Sequence, residues 1–210
     1  HYLNTNAIDG AMGFKLEVPP LHPVLYSISV NGMTEHHRAR ITNMANTQVT
    51  IALCRDGFHP ESAGGQVKLL SDGSPKLDYA LNGFFFDAAK RALLAMAEIQ
   101  FAAGAKEVFP VDERLDGFRT WADAKAGLEA LALRAYSTRV ASAHVMGGCG
   151  MAKDEKEGVV NVYGRHHQVE NLSVMDGSVF PTSIGANPQL SIYGLAWRNA
   201  ARLAGDMRRA

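Results

Sequence analysis

The chain has 210 residues, 47% of them hydrophobic and 20% charged. That composition excludes disordered, collagenous and coiled-coil classes, and at about 150 residues per domain it allows one large domain or one and a piece. Its 21 Lys and Arg balance 21 Asp and Glu, so no global field draws nucleic acid or an anionic membrane surface. Two cysteines, Cys54 and Cys149, cannot build a disulfide framework or a four-cysteine zinc site. The most apolar run, Ala92 to Ala105, is interrupted by Glu98 and is shorter than the roughly 20 residues a membrane span needs. The chain opens at His1 without an initiator Met and reaches core-like sequence almost at once, so a missing upstream part is expected and the lack of a leader peptide says nothing.

In chain order, Phe14 to Val18 reads as a short strand broken by Pro19-Pro20, and Val24 to Val30 as a second, buried strand. A polar stretch, Asn31 to Asn46, separates them from Gln48 to Arg55, where Val49, Ile51 and Leu53 are expected to point inward. Val67 to Leu70, a turn at Ser71-Asp-Gly-Ser-Pro75, and Lys76 to Leu81 predict a hairpin. Helical spacing of Leu93, Leu94, Ala97 and Phe101 predicts a helix over Asp87 to Ala103, with Gly104 placed to end it. A second helix fits Thr120 to Leu133. Phe84-Phe85-Phe86, at the start of the long helix, suits the core better than the lining of a pocket. Beyond these, Gly147-Gly148-Cys149-Gly150 reads as a loop, Gly158 to Tyr163 and Leu172 to Met175 as short strands, the latter buried, and Asn187 to Met207 as a closing helix.

Three segments of the tail carry chemistry. Asp176, ending a strand and followed by Gly177-Ser178, would project its carboxylate from the strand's carboxyl end, where sugar hydroxyls bind in open α/β sheets; as local structure it is a turn. Asn187-Pro188 places a capping residue before a proline at the first helical position, so the N–H groups at this end could face an anion or simply open a helix. His144 precedes the small residues Gly147 and Gly148, which permit close approach of a flat ligand, and imidazole is the commonest base near neutral pH; a lone histidine here is equally a structural residue. The adjacent pairs His36-His37 and His166-His167 lack the spacing of a helical metal pair.

Taken together, Ala143-His144-Val-Met-Gly-Gly148, Asn171-Leu-Ser-Val-Met-Asp176-Gly177-Ser178 and Gly185-Ala-Asn187-Pro188-Gln189, followed by a terminal helix, resemble the C-terminal signature of the glucose-methanol-choline (GMC) oxidoreductases, FAD enzymes acting on alcohols. Gly65 to Leu69 with Pro75 to Tyr79, the long helix and Ala103-Gly-Ala105 are similar to that family's substrate-domain pattern. The opening Gly13 to Pro23 looks like its bacterial branch near long-chain alcohol oxidases. The resemblance implies that His144 is the catalytic base for hydride transfer from an alcohol CH–OH to flavin, and that Asn187 is the second catalytic position, as in cholesterol-oxidase-like and choline-oxidase-like members. It further implies that FAD is held by Asp176 and Gly177 on the ribityl side and by Asn187, Pro188 and Gln189 at the helix start, with no metal. Cys149 is expected to be small packing.

One departure from the family stands out. The Gly-x-Gly-x-x-Gly turn that holds an FAD pyrophosphate occurs nowhere in the chain, and Gly147 to Gly150 has the wrong spacing for it. The fold expected is therefore α+β: an antiparallel-sheet substrate-binding domain with helices over residues 1–141, and over residues 142–210 the closing strand and helix of an incomplete FAD-binding α/β domain. The implied partners are an alcohol substrate and the missing N-terminal FAD domain of the same protein, without nucleic acid or a membrane span. Faces stripped of neighbours would leave the piece inactive alone and prone to self-association as a homo-oligomer. Two other classes stay open, a non-catalytic binding module without a flavin domain and a metal-dependent hydrolase using His144, Cys149 and a histidine pair.

Overall fold

The extended run before the prolines forms strand β1 (Phe14–Glu17), which pairs antiparallel with β2 (Ile51–Cys54) in a computed structural model describing residues 10–30, 32–57, 59–62, 64–112 and 114–209. His1 and Asn31, both used in the sequence reading, lie outside the described residues. In the register Phe14↔Cys54 and Leu16↔Ala52, residues directly opposite share a face, and Cys54 packs on the cluster of Met12, Phe85 and Ala88. The inward set on β2 is therefore Ala52 and Cys54, not Ile51 and Leu53. A one-residue shift of register exchanges every side chain between faces, and here the small residues face in because a 20-residue helix lies against them.

That helix is α3 (Gly83–Ala102). Asn82 caps it by accepting the Phe85 N–H at 3.1 Å. Its end is a Schellman motif: Ala105 N–H bonds Gln100 O at 3.0 Å and Gly104 N–H bonds Phe101 O at 2.9 Å, with Gly104 at φ +91°. Phe85 is buried, Phe84 and Phe86 pack around it, and all three belong to the core.

Val24 to Val30 is not a strand. It is helix α1 (Pro23–Ser29), which buries Tyr26 and leaves Val24, Leu25 and Ile28 exposed. Pro23, at the first helical position, is the signal that outweighs the β-branched composition. The polar stretch after it contains α2 (Thr34–Thr42), which buries no residue and so leaves no apolar periodicity to read. On α4 (Trp121–Ala130), capped by Thr120, Ala124 and Leu128 form a second core with Ala97 of α3. Gly127 is needed there because a Cβ would stand 2.6 Å from the Phe118 ring. The Lys90 ammonium closes the far end of α4 by donating to the carbonyls of Leu128 (2.7 Å), Glu129 (2.9 Å) and Leu131.

The chain divides into two compact units. One holds His1–Cys54 and Leu81–Ala141, the other Arg55–Ala80 and Ser142–Ala210. In the second, β3 (Gly65–Leu69) and β4 (Pro75–Tyr79) form the expected hairpin, with Val67 opposite Leu77. Asp72 holds its turn by accepting the Ser74 N–H at 2.9 Å. The strands expected at 158–163 and 172–175 do not form. Isolated bridges, Met151↔Val160, Val160↔His166 and Arg165↔Ser173, take their place, and Leu172 is exposed. Asn171 at φ +60° and Gly164 at φ +76° turn the backbone too sharply for a longer ladder. The chain ends in α5 (Gln189–Met207). The architecture is thus helices with small antiparallel sheets, and among the described residues no helix is long and apolar enough to cross a membrane.

In the first unit Asp112 is only 4% exposed and is gripped by Arg114, whose Nε meets Oδ1 at 2.8 Å and whose Nη2 meets Oδ2 at 2.7 Å. These bonds from the Arg114 side chain hold the Asp112 carboxyl below the usual aspartate range. A carboxyl lowered on folding contributes stability above its unfolded pKa and loses it as pH falls through the folded value. Asp112→Asn is expected to cost about 1.5–3 kcal/mol at pH 7, as for a hydrogen bond to a charged group. In urea titrations the gap from the wild type should narrow steadily as pH falls below about 4.

Candidate functional site

All three chemistry-bearing segments of the tail lie in the second unit; backbone bonds join the first two, and the third meets them through Ile192. Cys149 N–H donates to Ser178 O at 3.0 Å and Met151 N–H to Val179 O at 2.8 Å, so the stretch after His144 runs beside the turn that follows Asp176. Gly177 is where the segments touch. A Cβ on it would lie 3.1 Å from the Val145 carbonyl oxygen and 3.0 Å from Ile192 Cδ1 on the first turn of α5. Gly147, at φ +87°, takes a left-handed turn that favours glycine as the loop passes beside Pro181.

Asp176 does what a turn residue does. Its Oδ1 accepts the Ser178 N–H at 2.8 Å and the Ser178 hydroxyl at 2.5 Å, capping a single 3₁₀ turn over Gly177–Val179. The Ser178 hydroxyl, and then its N–H, hold the carboxyl below its ordinary range. The side chain is exposed, and Oδ2 accepts no hydrogen bond among the described residues.

Asn187 is not the capping residue of α5. The cap position falls one residue later, on buried Pro188, whose carbonyl accepts the first helical bond from Ile192 N–H at 2.8 Å. Burial of the proline ring draws Pro188 inward and leaves Asn187 exposed just ahead of the helix. The N–H groups of Gln189, Leu190 and Ser191 precede that first bond and have no intrahelical acceptor. His144 is half-buried and makes no hydrogen bond or ion pair with another described residue.

Sequence reasoning missed what holds these pieces. The loop before Asn187 is tied to the start of the unit: Thr182 Oγ1 donates to Gly57 O at 2.7 Å, and Gly185, at φ +70°, lies where a Cβ would be 3.0 Å from the Arg55 side chain. Gly57, at φ +104°, leaves no room for a Cβ beside Thr182, and the Asp56-Gly57 turn pair is the signal that was available. Helix α5 is docked through polar groups. Asn199 is 2% exposed, Arg198 donates to its Oδ1 at 3.0 Å and also to Val162 O, and Arg198 and Arg202 stack on the Tyr163 ring at 5.5 and 4.0 Å.

One member of each histidine pair holds local structure. His166 Nδ1 accepts the N–H groups of Gln168 and Val169 at 3.1 and 3.0 Å, and His37 Nε2 lies 2.8 Å from Ser27 O. Among the described residues no three His, Cys, Asp or Glu side chains gather as a metal site would require. Neither cysteine forms a disulfide among the described residues.

The residues present fit one end of a flavin cofactor: an open helix N-terminus and a carboxylate oxygen on a neighbouring turn. They offer no cradle for a pyrophosphate. Known proteins resemble the chain over most of its length. A long-chain-alcohol oxidase of Arabidopsis thaliana is 28% identical over 190 residues, covering 87% of this chain but 25% of the relative. A second from the same plant is 28% identical over 212 residues, covering 91% and 26%. A cholesterol oxidase of Acinetobacter baumannii is 44% identical over 57 residues, 27% of this chain and 10% of that protein. The chain thus spans about a quarter of the length of the long-chain-alcohol oxidases it matches. Residues 60–196, more than half of the chain, match the profile of the GMC oxidoreductases, and the chain belongs to that family of alcohol oxidoreductases, whose members are generally flavoproteins.

Proposed function

We propose that this chain is the C-terminal part of an FAD-dependent alcohol oxidoreductase, and that residues 142–210 supply its catalytic side chains while residues 1–141 supply most of its substrate-binding domain. The observation that carries this reading is the meeting of the His144 loop, the Asp176 turn and the first turn of α5 around Gly177. A base, a polar amide and an open helix end in one unit are what removal of a hydride and a proton from one CH–OH group requires.

An alcohol is a weak acid, so its proton must leave as the hydride departs. His144 accepts that proton, and general base catalysis of this kind contributes about 10²–10⁴-fold. The Asn187 amide donates to the same oxygen and fixes its direction. FAD, when bound, supplies the hydride acceptor. The N–H groups of Gln189 and its neighbours, backed by the α5 dipole, favour negative charge placed before them, and Asp176 Oδ2 accepts from a ribityl hydroxyl. The substrate class within alcohols follows from the relatives' names only as a starting set, long-chain alcohols and cholesterol.

The missing partner in this reading is an N-terminal FAD domain of the same protein. The outer side of α5 supports it: Leu190 and Trp197 are 83% and 78% exposed, Tyr193 lies between them on the same stripe, and Gly194 has nothing within 4 Å of its Cβ direction. An apolar stripe this exposed, on a helix whose other face is already satisfied by polar contacts, suits packing against a further part of the protein. Purified alone, the 210 residues are expected to be colourless and inactive, and a yellow preparation with near-stoichiometric flavin would contradict the assignment of the missing part.

In the complete protein, His144→Ala is expected to slow anaerobic flavin reduction by a long-chain primary alcohol or cholesterol by about 10²-fold or more. Asn187→Ala should slow it less. The double variant should be less impaired than the product of the single effects, because both groups act on one oxygen. Near-normal reduction in His144→Ala with FAD bound would remove His144 from the chemistry. Asp176→Ala is expected to lose FAD on dialysis while the residual holoprotein reacts at close to the normal rate; full flavin with lost turnover would show that Asp176 acts elsewhere.

A further inference from the structure

We propose that Gly177 is a positioning residue, whose lack of a side chain sets the distance between the loop that carries His144 and the first turn of α5. The inference rests on the reading of His144 as the base. Gly177 is not among the glycines at positive φ, so its backbone conformation accepts any L-residue, and conformational freedom does not explain a glycine here. Space does. A Cβ would stand 3.0 Å from Ile192 Cδ1 and 3.1 Å from the Val145 carbonyl oxygen, both inside ordinary van der Waals contact.

The two neighbours differ in how they can yield. Ile192 Cδ1 is the end of a flexible side chain and can rotate away. The Val145 oxygen is main chain, one residue from His144, and it moves only if the loop moves with it. The turn cannot easily retreat either, because its Ser178 O and Val179 O accept from Cys149 and Met151 N–H. A methyl group at 177 therefore displaces the His144 backbone by a few tenths of an ångström or more. A misplacement of about 1 Å from a group remote from the chemistry costs on the order of 10²-fold in rate.

The test uses the complete, FAD-loaded protein and whichever of a long-chain primary alcohol and cholesterol reduces the wild type faster. Gly177→Ala is expected to retain FAD, to lower the rate of anaerobic reduction by about 10-fold or more, and to shift the pH midpoint of the rate. The same variant labelled with ¹³C-histidine should show a changed His144 chemical shift, a readout that needs no turnover. In Gly177→Ala/Ile192→Ala, where the flexible neighbour is removed and the Val145 oxygen remains, the loss should persist; this pair also carries the test should the single variant fail to fold. Normal rate and unshifted pH profile in Gly177→Ala, full recovery in the double variant, or loss of FAD with a normal rate in what remains bound would each overturn the proposal. Failure of the underlying reading is seen separately, as near-normal reduction in His144→Ala.

Discussion

Everything in the tail depends on how α5 is seated. The helix is not anchored mainly by greasy contact. Asn199, buried at its centre, stands 3.1 Å from where a Cβ on Gly164 would be, and that Cβ would also overlap the Val174 carbonyl oxygen, so only glycine, at φ +76°, lets the loop come this close. Gly164 in turn exchanges backbone bonds with its surroundings, accepting Val174 N–H at 2.8 Å and donating to Asn161 O at 2.8 Å. Arg198 also donates to Val162 O, and Arg198 and Arg202 stack on Tyr163; these contacts off the helix set the rotation of α5 about its own axis. That rotation decides which N–H groups its open end presents and where Ile192 stands against Gly177.

The cationic end of the helix follows the same logic. Arg165 and Arg209 both reach Asp206 at 2.6 Å, and Arg202 lies 4.0 Å away. Cations are favourable at a helix C-terminus, so this cluster needs no ligand to explain it. The Asp206 carboxyl is held low first by Arg209. The charges on this inner side and the apolar stripe of Leu190, Tyr193 and Trp197 on the outer side divide the helix into one face that the chain satisfies itself and one that it does not.

How far the fold was legible depends on what kind of signal each element left. Helix α3 announced itself by Leu93, Leu94, Ala97 and Phe101 at helical spacing and by Gly104 as its stop, and the hairpin by Asp72-Gly73 between two β-rich runs. Helix α1 was misread because Val24, Ile28 and Val30 favour strands, while the deciding residue was Pro23. Helix α2 buries nothing and so left no period. The faces of β2 were misassigned because the inward residues are Ala52 and Cys54, smaller than the Ile51 and Leu53 that face out. In the tail the motif residues were readable, but the strands expected around them were not there. Val159, Val160 and Val174 look like strand interiors in sequence, yet Gly164 and Asn171 fold that stretch into turns joined by single bridges.

The site shows why local and functional readings of the same residue compete poorly as alternatives. Asp-Gly was read either as a turn or as a cofactor contact, and the structure has the turn. The turn uses Oδ1 alone. Both bonds from Ser178 fall on that atom, which fixes the carboxylate plane and lowers its pKa, so the group stays ionised and aimed with Oδ2 outward. A free aspartate on a loop would spend rotamer entropy to hold one hydroxyl; this one has been ordered in advance by its own turn. The same holds for Pro188, which buries its ring and lets the exposed Asn187 and the unpaired N–H groups of α5 share one end of the helix. Local structure here is the means by which the few polar groups of the tail are kept in place.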